Sequence, residues 1–182
     1  MKKSKFIDPN IKNKSVTVEE KIQLVNHNGS MFPLPTEIEI SESGTCNRSC
    51  SFCPRSSPNF EDKKEFIKND LHEKMCQELK ELNYEGTIRY SGFVEPLIDK
   101  NIFNLINMAR RHLPECNIEM VTNGDPLNLI RLNKLFANGL NRILISAYDG
   151  KEEAQKLEDL CISANLSNDQ YIVRHRYYSE DQ

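Results

Sequence analysis

Cys46, Cys50 and Cys53 stand in the run Cys46-Asn-Arg-Ser-Cys50-Ser-Phe-Cys53-Pro54, a C-x3-C-x2-C spacing. Three clustered thiolates can ligate three irons of a four-iron cluster and leave the fourth iron without a protein ligand. A cluster used only to carry electrons normally has four cysteine ligands. An iron left open therefore points to chemistry at the cluster, with a substrate or cofactor seated on it. The competing use of such thiols is a structural zinc site, which needs four ligands, often as two separated C-x2-C pairs. No second pair follows, and the next histidine, His72, falls inside a predicted helix. The remaining cysteines, Cys76, Cys116 and Cys161, are scattered through apolar-patterned segments. They read as small buried hydrophobes in a reduced compartment. Other catalytic templates are missing: there is no G-x-S-x-G elbow, no P-loop and no H-E-x-x-H.

The elements around the cysteine loop alternate in type. Thr36 to Ser41 alternates apolar and polar residues and predicts a first strand, with the cysteines directly after it. Leu71, Met75, Leu79 and Leu82 fall at helical spacing and predict a helix from Asp70 to about Asn83, ended by Gly86. Thr87 to Ser91 is a second strand. Ile102, Leu105, Ile106 and Ala109 mark a second helix, stopped near Pro114. Asn117 to Val121 is a third strand. A third helix follows, with Pro126 in its first turn and Gly139 at its end. Arg142 to Ala147 is apolar enough for burial on both faces. A fourth helix runs from Lys151 to about Asn165, and Tyr171 to Arg176 is a fifth strand.

Such alternation implies a parallel sheet with right-handed crossovers. Functional residues then belong at the carboxyl ends of the strands. The unusual residues fall there: the cysteine loop, Ser91-Gly92-Phe-Val-Glu95-Pro96, Thr122-Asn123-Gly124-Asp125 and Ser146-Ala-Tyr148-Asp149-Gly150. Four such loops on one rim describe a single site.

This arrangement resembles the radical S-adenosylmethionine (radical SAM) superfamily, whose signature is C-x3-C-x-aromatic-C; in this chain the aromatic is Phe52. The resemblance covers residues 36 to about 176 and implies a partial (β/α) TIM-like barrel. It implies that Cys46, Cys50 and Cys53 ligate a [4Fe-4S] cluster and that the open iron chelates S-adenosylmethionine. Reductive cleavage would then yield methionine and a 5′-deoxyadenosyl radical that abstracts a substrate hydrogen. Phe52 would lie near the adenine. Gly92 and Glu95 lie in the counterpart of the family's Gly-Gly-Glu-Pro segment, with Phe93 and Val94 in place of two glycines. That segment binds the methionine amino group; a helix-terminal charge is the alternative role for Glu95. Thr122 and Asn123 match the Thr-Asn-Gly turn, and Ser146 matches a serine that contacts the ribose or carboxylate. Asp149 is also expected to cap the following helix. Arg174 and Arg176 share one parity on the last strand, and either one facing inward would meet the cofactor carboxylate.

The core of the family has six strands, and the pattern in this chain supplies five before Gln182. The barrel is therefore expected to be incomplete at its C-terminus, behind an N-terminal extension of residues 1–35. The motifs are most similar to members with the auxiliary-cluster extension called SPASM; no such extension is expected in this sequence. A net charge of −3 gives no electrostatic case for nucleic acid or membrane surfaces. With no secretory signal and no apolar run of spanning length, a cytoplasmic protein is expected. Implied partners are a reductant such as flavodoxin or ferredoxin and an unidentified small-molecule, sugar or peptide substrate. Two readings stay beside the enzyme: a non-catalytic domain binding cluster, cofactor or peptide, and a zinc-stabilised α/β module.

Overall fold

The computed structural model describes residues 33–177. The chain divides into two units, Met1–Thr36 and Glu37–Gln182, and the second carries the sheet and its helices. The expected N-terminal extension lies almost wholly outside the described residues.

Five strands, β1 (Glu37–Ile40), β2 (Thr87–Tyr90), β3 (Asn117–Thr122), β4 (Arg142–Ala147) and β5 (Tyr171–His175), form one sheet in the order β1-β2-β3-β4-β5. Every neighbouring pair is parallel. Four helices provide the crossovers: α1 (Asn69–Glu81), α2 (Ile102–His112), α3 (Leu129–Ala137) and α4 (Lys151–Ser163). Each crossover moves one place in the same direction. With right-handed connections, that puts all helices on one face. This is the winding of a (β/α) barrel left open, and not of a doubly wound sheet, whose strand order reverses at a switch point.

Strand periodicity then sorts the residues. Ile88, Tyr90, Ile118, Met120, Ile143 and Ile145 share one face and are fully buried. Cys76, Leu105, Ile106, Leu132, Leu135 and Cys161 of the helices are buried with them. Burying each large apolar side chain contributes roughly 1.5–3 kcal/mol, so this layer holds the sheet to its helices. The other face carries charge. Glu39, Arg89, Glu119 and Arg142 stand in register across β1 to β4. Arg89 pairs with Glu37 and, at 2.6 Å, with Glu119. β4 is thus not buried on both faces as its composition implied: Arg142 and Leu144 remain half-buried on the charged side.

Three helix boundaries differ from the pattern-based expectation. α1 ends at Glu81, and Asn83, with φ 49°, takes the left-handed position expected of Gly86. Gly86 instead makes room for Tyr84, whose hydroxyl would lie 2.3 Å from an added Cβ. α3 begins at Leu129, because the Asn128 side chain accepts a hydrogen bond from the Arg131 amide at 2.9 Å. Pro126 lies in the turn before it. At α4 the N-cap is Gly150, with φ 113°, and not Asp149. The Glu153 carboxylate reaches back to the amides of Tyr148 and Asp149, at 2.6 and 2.7 Å. That frees Asp149 for Arg48.

Cys76, Cys116 and Cys161 are buried and unpaired. Burial pushes their thiols up to about 11, 11 and 12. They are packing residues, as the sequence pattern indicated. Among the described residues no helix is long and apolar enough to cross a membrane.

Candidate functional site

The cysteine loop leaves β1 and lies across the carboxyl ends of the strands. Within it the Cys53 amide donates to the Cys50 carbonyl at 2.9 Å, and Pro54 opens a single 3-10 turn, Pro54–Ser56. The chain then doubles back as a strap. The Gly44 amide donates to the Glu65 carbonyl at 2.9 Å, the Ile67 amide donates to the Glu42 carbonyl at 2.7 Å, and Ser43 bridges Phe66. A Cβ on Gly44 would sit 2.1 Å from the Lys63 carbonyl oxygen, so only glycine lets the strap approach this closely.

One concavity at this end of the sheet is lined by Cys46, Cys50, Cys53, Phe52, Gly92, Glu95, Thr122, Asn123 and Ser146. These are all the sequence-predicted site residues except Arg174. A second, polar concavity lies at the opposite ends of the strands, around Asn117, Asn141, Arg142 and Ser167. It contains none of the predicted residues.

Glu95 organises the site from beneath. Its carboxylate accepts from the Thr122 hydroxyl at 2.6 Å, the Asn123 amide at 2.8 Å and the Leu97 amide at 3.0 Å. Its own amide donates to the Thr45 carbonyl, next to Cys46. Burial raises its carboxyl above the usual range, and the hydrogen bonds from Asn123, Thr122 and Leu97 oppose that rise. The helix-end role considered for Glu95 is therefore present, through Leu97, but it is one bond of three. Both oxygens are engaged within the protein, so this side chain ties the loops after β2 and β3 together.

Gly92, with φ 118°, lies where a Cβ would meet the Ser41 hydroxyl at 2.1 Å. Asn123 extends its amide nitrogen to Asn47 at 2.8 Å and lies 3.8 Å from the Cys46 sulfur. Ser146 is buried and accepts from Arg174 Nη2 at 2.9 Å. Arg174 is thus the arginine of its strand that reaches the site, through Ser146. Its Nε is enclosed without a hydrogen-bond partner. Burial lowers its guanidinium to about 10, which leaves it cationic at neutral pH. Phe52 is 68% exposed at the mouth, with its ring centroid 5.5 Å from that of Tyr148.

Sequence reading passed over three residues. Arg48, between two cysteines, pairs with Asp125, Asp149 and Glu153. Arg55 donates to the carbonyls of Gly44 and Phe93 at 3.0 and 3.1 Å and pairs with Asp62. The signal for both was available: arginines inside and just after a ligand loop whose neighbouring loops carry acids. Glu42 gave no such signal. It is 1% exposed, and neither oxygen has a hydrogen-bond partner. Burial pushes its carboxyl up to about 7.

The donor set fits an iron–sulfur cluster better than a single ion. All three thiols face one concavity, and none is in a disulfide. Among the described residues no group of three or more His, Cys, Asp or Glu side chains converges on one metal position. Three thiols on one concavity match three corners of a four-iron cluster and fall one ligand short of a structural zinc site.

An open parallel barrel with three thiols over its carboxyl rim defines a class of redox cofactor-binding α/β protein. The chain belongs to the radical SAM superfamily, whose family model matches residues 40–174. That family uses a [4Fe-4S] cluster and S-adenosylmethionine, and these are the cofactors of this chain. It is 28% identical over 120 residues to the S-adenosyl-L-methionine-dependent 2-deoxy-scyllo-inosamine dehydrogenase of Niallia circulans, a match covering 66% of this chain and 48% of that protein. Its fold is similar to that of BtrN in complex with AdoMet and 2-DOIA, with TM-score 0.69, 23% identity, and coverage of 84% of this chain and 60% of that one. It also resembles anSMEcpe with bound AdoMet, with TM-score 0.60, 18% identity, and coverage of 77% and 42%. The chain spans about half the length of the curated relative it matches.

Proposed function

We propose that this chain is a radical SAM enzyme that abstracts hydrogen from a small polyhydroxylated substrate. A [4Fe-4S] cluster held by Cys46, Cys50 and Cys53 would supply one-electron reductive cleavage of S-adenosylmethionine and, through it, hydrogen-atom abstraction from the substrate. The observation that carries this reading is the convergence of the three thiols with Glu95, Thr122, Asn123 and Ser146 on one concavity.

In this reading Cys46, Cys50 and Cys53 hold the cluster. Phe52 and Tyr148 flank the adenine at the mouth, where a planar ring fits against aromatic faces. The backbone at Gly92 receives the methionine amino group, and Glu95 holds that segment against the β3 loop. Ser146, with Arg174 behind it, meets the carboxylate or ribose, and the unpartnered Nε of Arg174 leaves a donor to spare. The Niallia circulans relative, named for action on an inosamine, supports a polyol over a peptide. An external reductant of the flavodoxin or ferredoxin type delivers the electron. Neither nucleic acid nor a membrane enters the reading.

Anaerobic reconstitution with iron and sulfide, then dithionite and S-adenosylmethionine, tests it. Release of 5′-deoxyadenosine supports the enzyme. A cluster without nucleoside release favours a cofactor-binding domain that does not turn over. Retained zinc with no cluster would sink both. Cys50→Ala is expected to abolish a stable four-iron cluster; full iron retention would refute its assignment as a ligand.

A further inference from the structure

Arg48 lies midway between the first two cysteines of the loop, and its guanidinium is shared by three carboxylates, from the β3 loop, the β4 loop and the first turn of α4. Nε donates to Asp125 Oδ2 at 2.7 Å, and Nη2 to Asp125 Oδ1. Nη1 and Nη2 donate to the two oxygens of Asp149, at 3.2 and 3.0 Å. Nη2 also donates to Glu153 Oε1 at 2.8 Å, and the guanidinium lies 5.4 Å from the Tyr148 ring centroid. Asn47 beside it donates to Asp125 Oδ2 at 2.7 Å and accepts from Asn123. Both residues that follow Cys46 are therefore tied to the β3 loop, and Arg48 also reaches the β4 loop and the first turn of α4.

We propose that Arg48 is a positioning residue that locks the loops after β1, β3 and β4 into one rim and so sets Cys46 and Cys50 in place before iron arrives. The proposal rests on the cluster assignment for its purpose, though not for its geometry. A flexible ligand loop must lose its conformational freedom when metal binds, and a loop already held loses less. The planar fork of arginine can serve acceptors in several directions at once, whereas lysine offers a point charge on a flexible stem. Glu153 couples the arrangement further, because its second oxygen holds the Tyr148 and Asp149 amides at the start of α4. One cation therefore bears on the ligand loop, the aromatic at the mouth and a helix terminus together.

Amide hydrogen exchange on the apoprotein tests this, with wild type, Arg48→Met and Arg48→Lys compared. Arg48→Met is expected to speed exchange on the order of tenfold in residues 44–54, 122–126 and 147–152 together, with α1 and α2 unchanged. Arg48→Lys should fall between the two. The rate of cluster assembly on adding iron and sulfide should drop about tenfold in Arg48→Met while the final iron content still approaches that of wild type. Exchange in the β3 and β4 loops unchanged in both variants would overturn the proposal, because Arg48 would then order only its own loop. Failure of wild type to assemble any cluster would strike the proposed function instead, and the exchange comparison would still decide the role of Arg48.

Discussion

At the level of single residues, two carboxyls near the cysteine loop are both raised by burial but differ in their hydrogen bonds. Glu95 is enclosed but has three donors, which oppose the rise that burial imposes. Glu42 is enclosed with neither oxygen in a hydrogen bond of ordinary geometry, and burial outweighs the opposing contributions of its own backbone and Ser43 to hold it at about 7, well above its ordinary 4.5. For an acid shifted upward, the folded state binds the proton more tightly than the unfolded chain. Its stabilising contribution is therefore complete below about pH 4.5 and is lost as pH rises through about 7. The ceiling on that loss is about 3 kcal/mol. His72, buried against Tyr90 and lowered to about 4, works in the other direction, because its contribution is present above pH 6.5 and lost as pH falls through about 4. Glu42→Gln isolates the first effect. Urea unfolding at pH 5 and pH 8 should show wild type losing about 1–3 kcal/mol more than the variant over that interval. Equal losses would mean that Glu42 ionises without penalty.

At the level of elements, the strap behind the cysteine loop depends on one glycine. Gly44→Ala would drive a methyl group into the Lys63 carbonyl, a backbone atom with no side-chain torsion to relieve it. The strap must move away, breaking the Gly44–Glu65 hydrogen bond and the Ser43–Phe66 bridge. A loss of about 2 kcal/mol or more is expected, with faster limited proteolysis between residues 58 and 67. Unchanged cleavage would show that the strap is held from elsewhere. This strap was not legible in the sequence, because its only signals are one glycine and a charged stretch without periodicity. The strands and helices were legible, since each buries one face and shows the matching period of 2 or 3.6. Their ends were less so. Asn83 for Gly86, Asn128 for Pro126 and Gly150 for Asp149 lie within a few residues of the expected positions, and local hydrogen bonds, Asn128 to the Arg131 amide and Glu153 to the Asp149 amide, accompany the last two. The site loops were legible because parallel winding sends every strand's carboxyl end to one rim. What joins those loops was not, because the partners of Arg48 lie 77 to 105 positions away in sequence.

At the level of the whole sheet, the face opposite the helices is held by charge where the helix-facing side is held by apolar packing. Glu119 sits at the centre of that face, 3% exposed, between Arg89 at 2.6 Å and Arg142 at 3.5 Å. Asn117 adds a hydrogen bond to it at 2.7 Å. Arg89 continues the row to Glu37 on β1, so one run of ion pairs crosses four strands. Such a row specifies register, since sliding a strand by one residue would turn its charges into the apolar layer. Its net contribution is smaller than its contacts imply, because each ion has given up water. Removing one member costs more, because an enclosed carboxylate then lacks its partner. Arg89→Met is expected to destabilise the protein by about 2–3 kcal/mol, and Glu119→Gln by less, since Gln keeps the shape and accepts from Asn117. In the double variant the two losses should fall short of their sum by at least about 1 kcal/mol, as measured by urea unfolding of all four proteins. Strict additivity would show that Arg89 and Glu119 are neighbours without energetic coupling, and that β2 and β3 owe their register to the apolar layer alone.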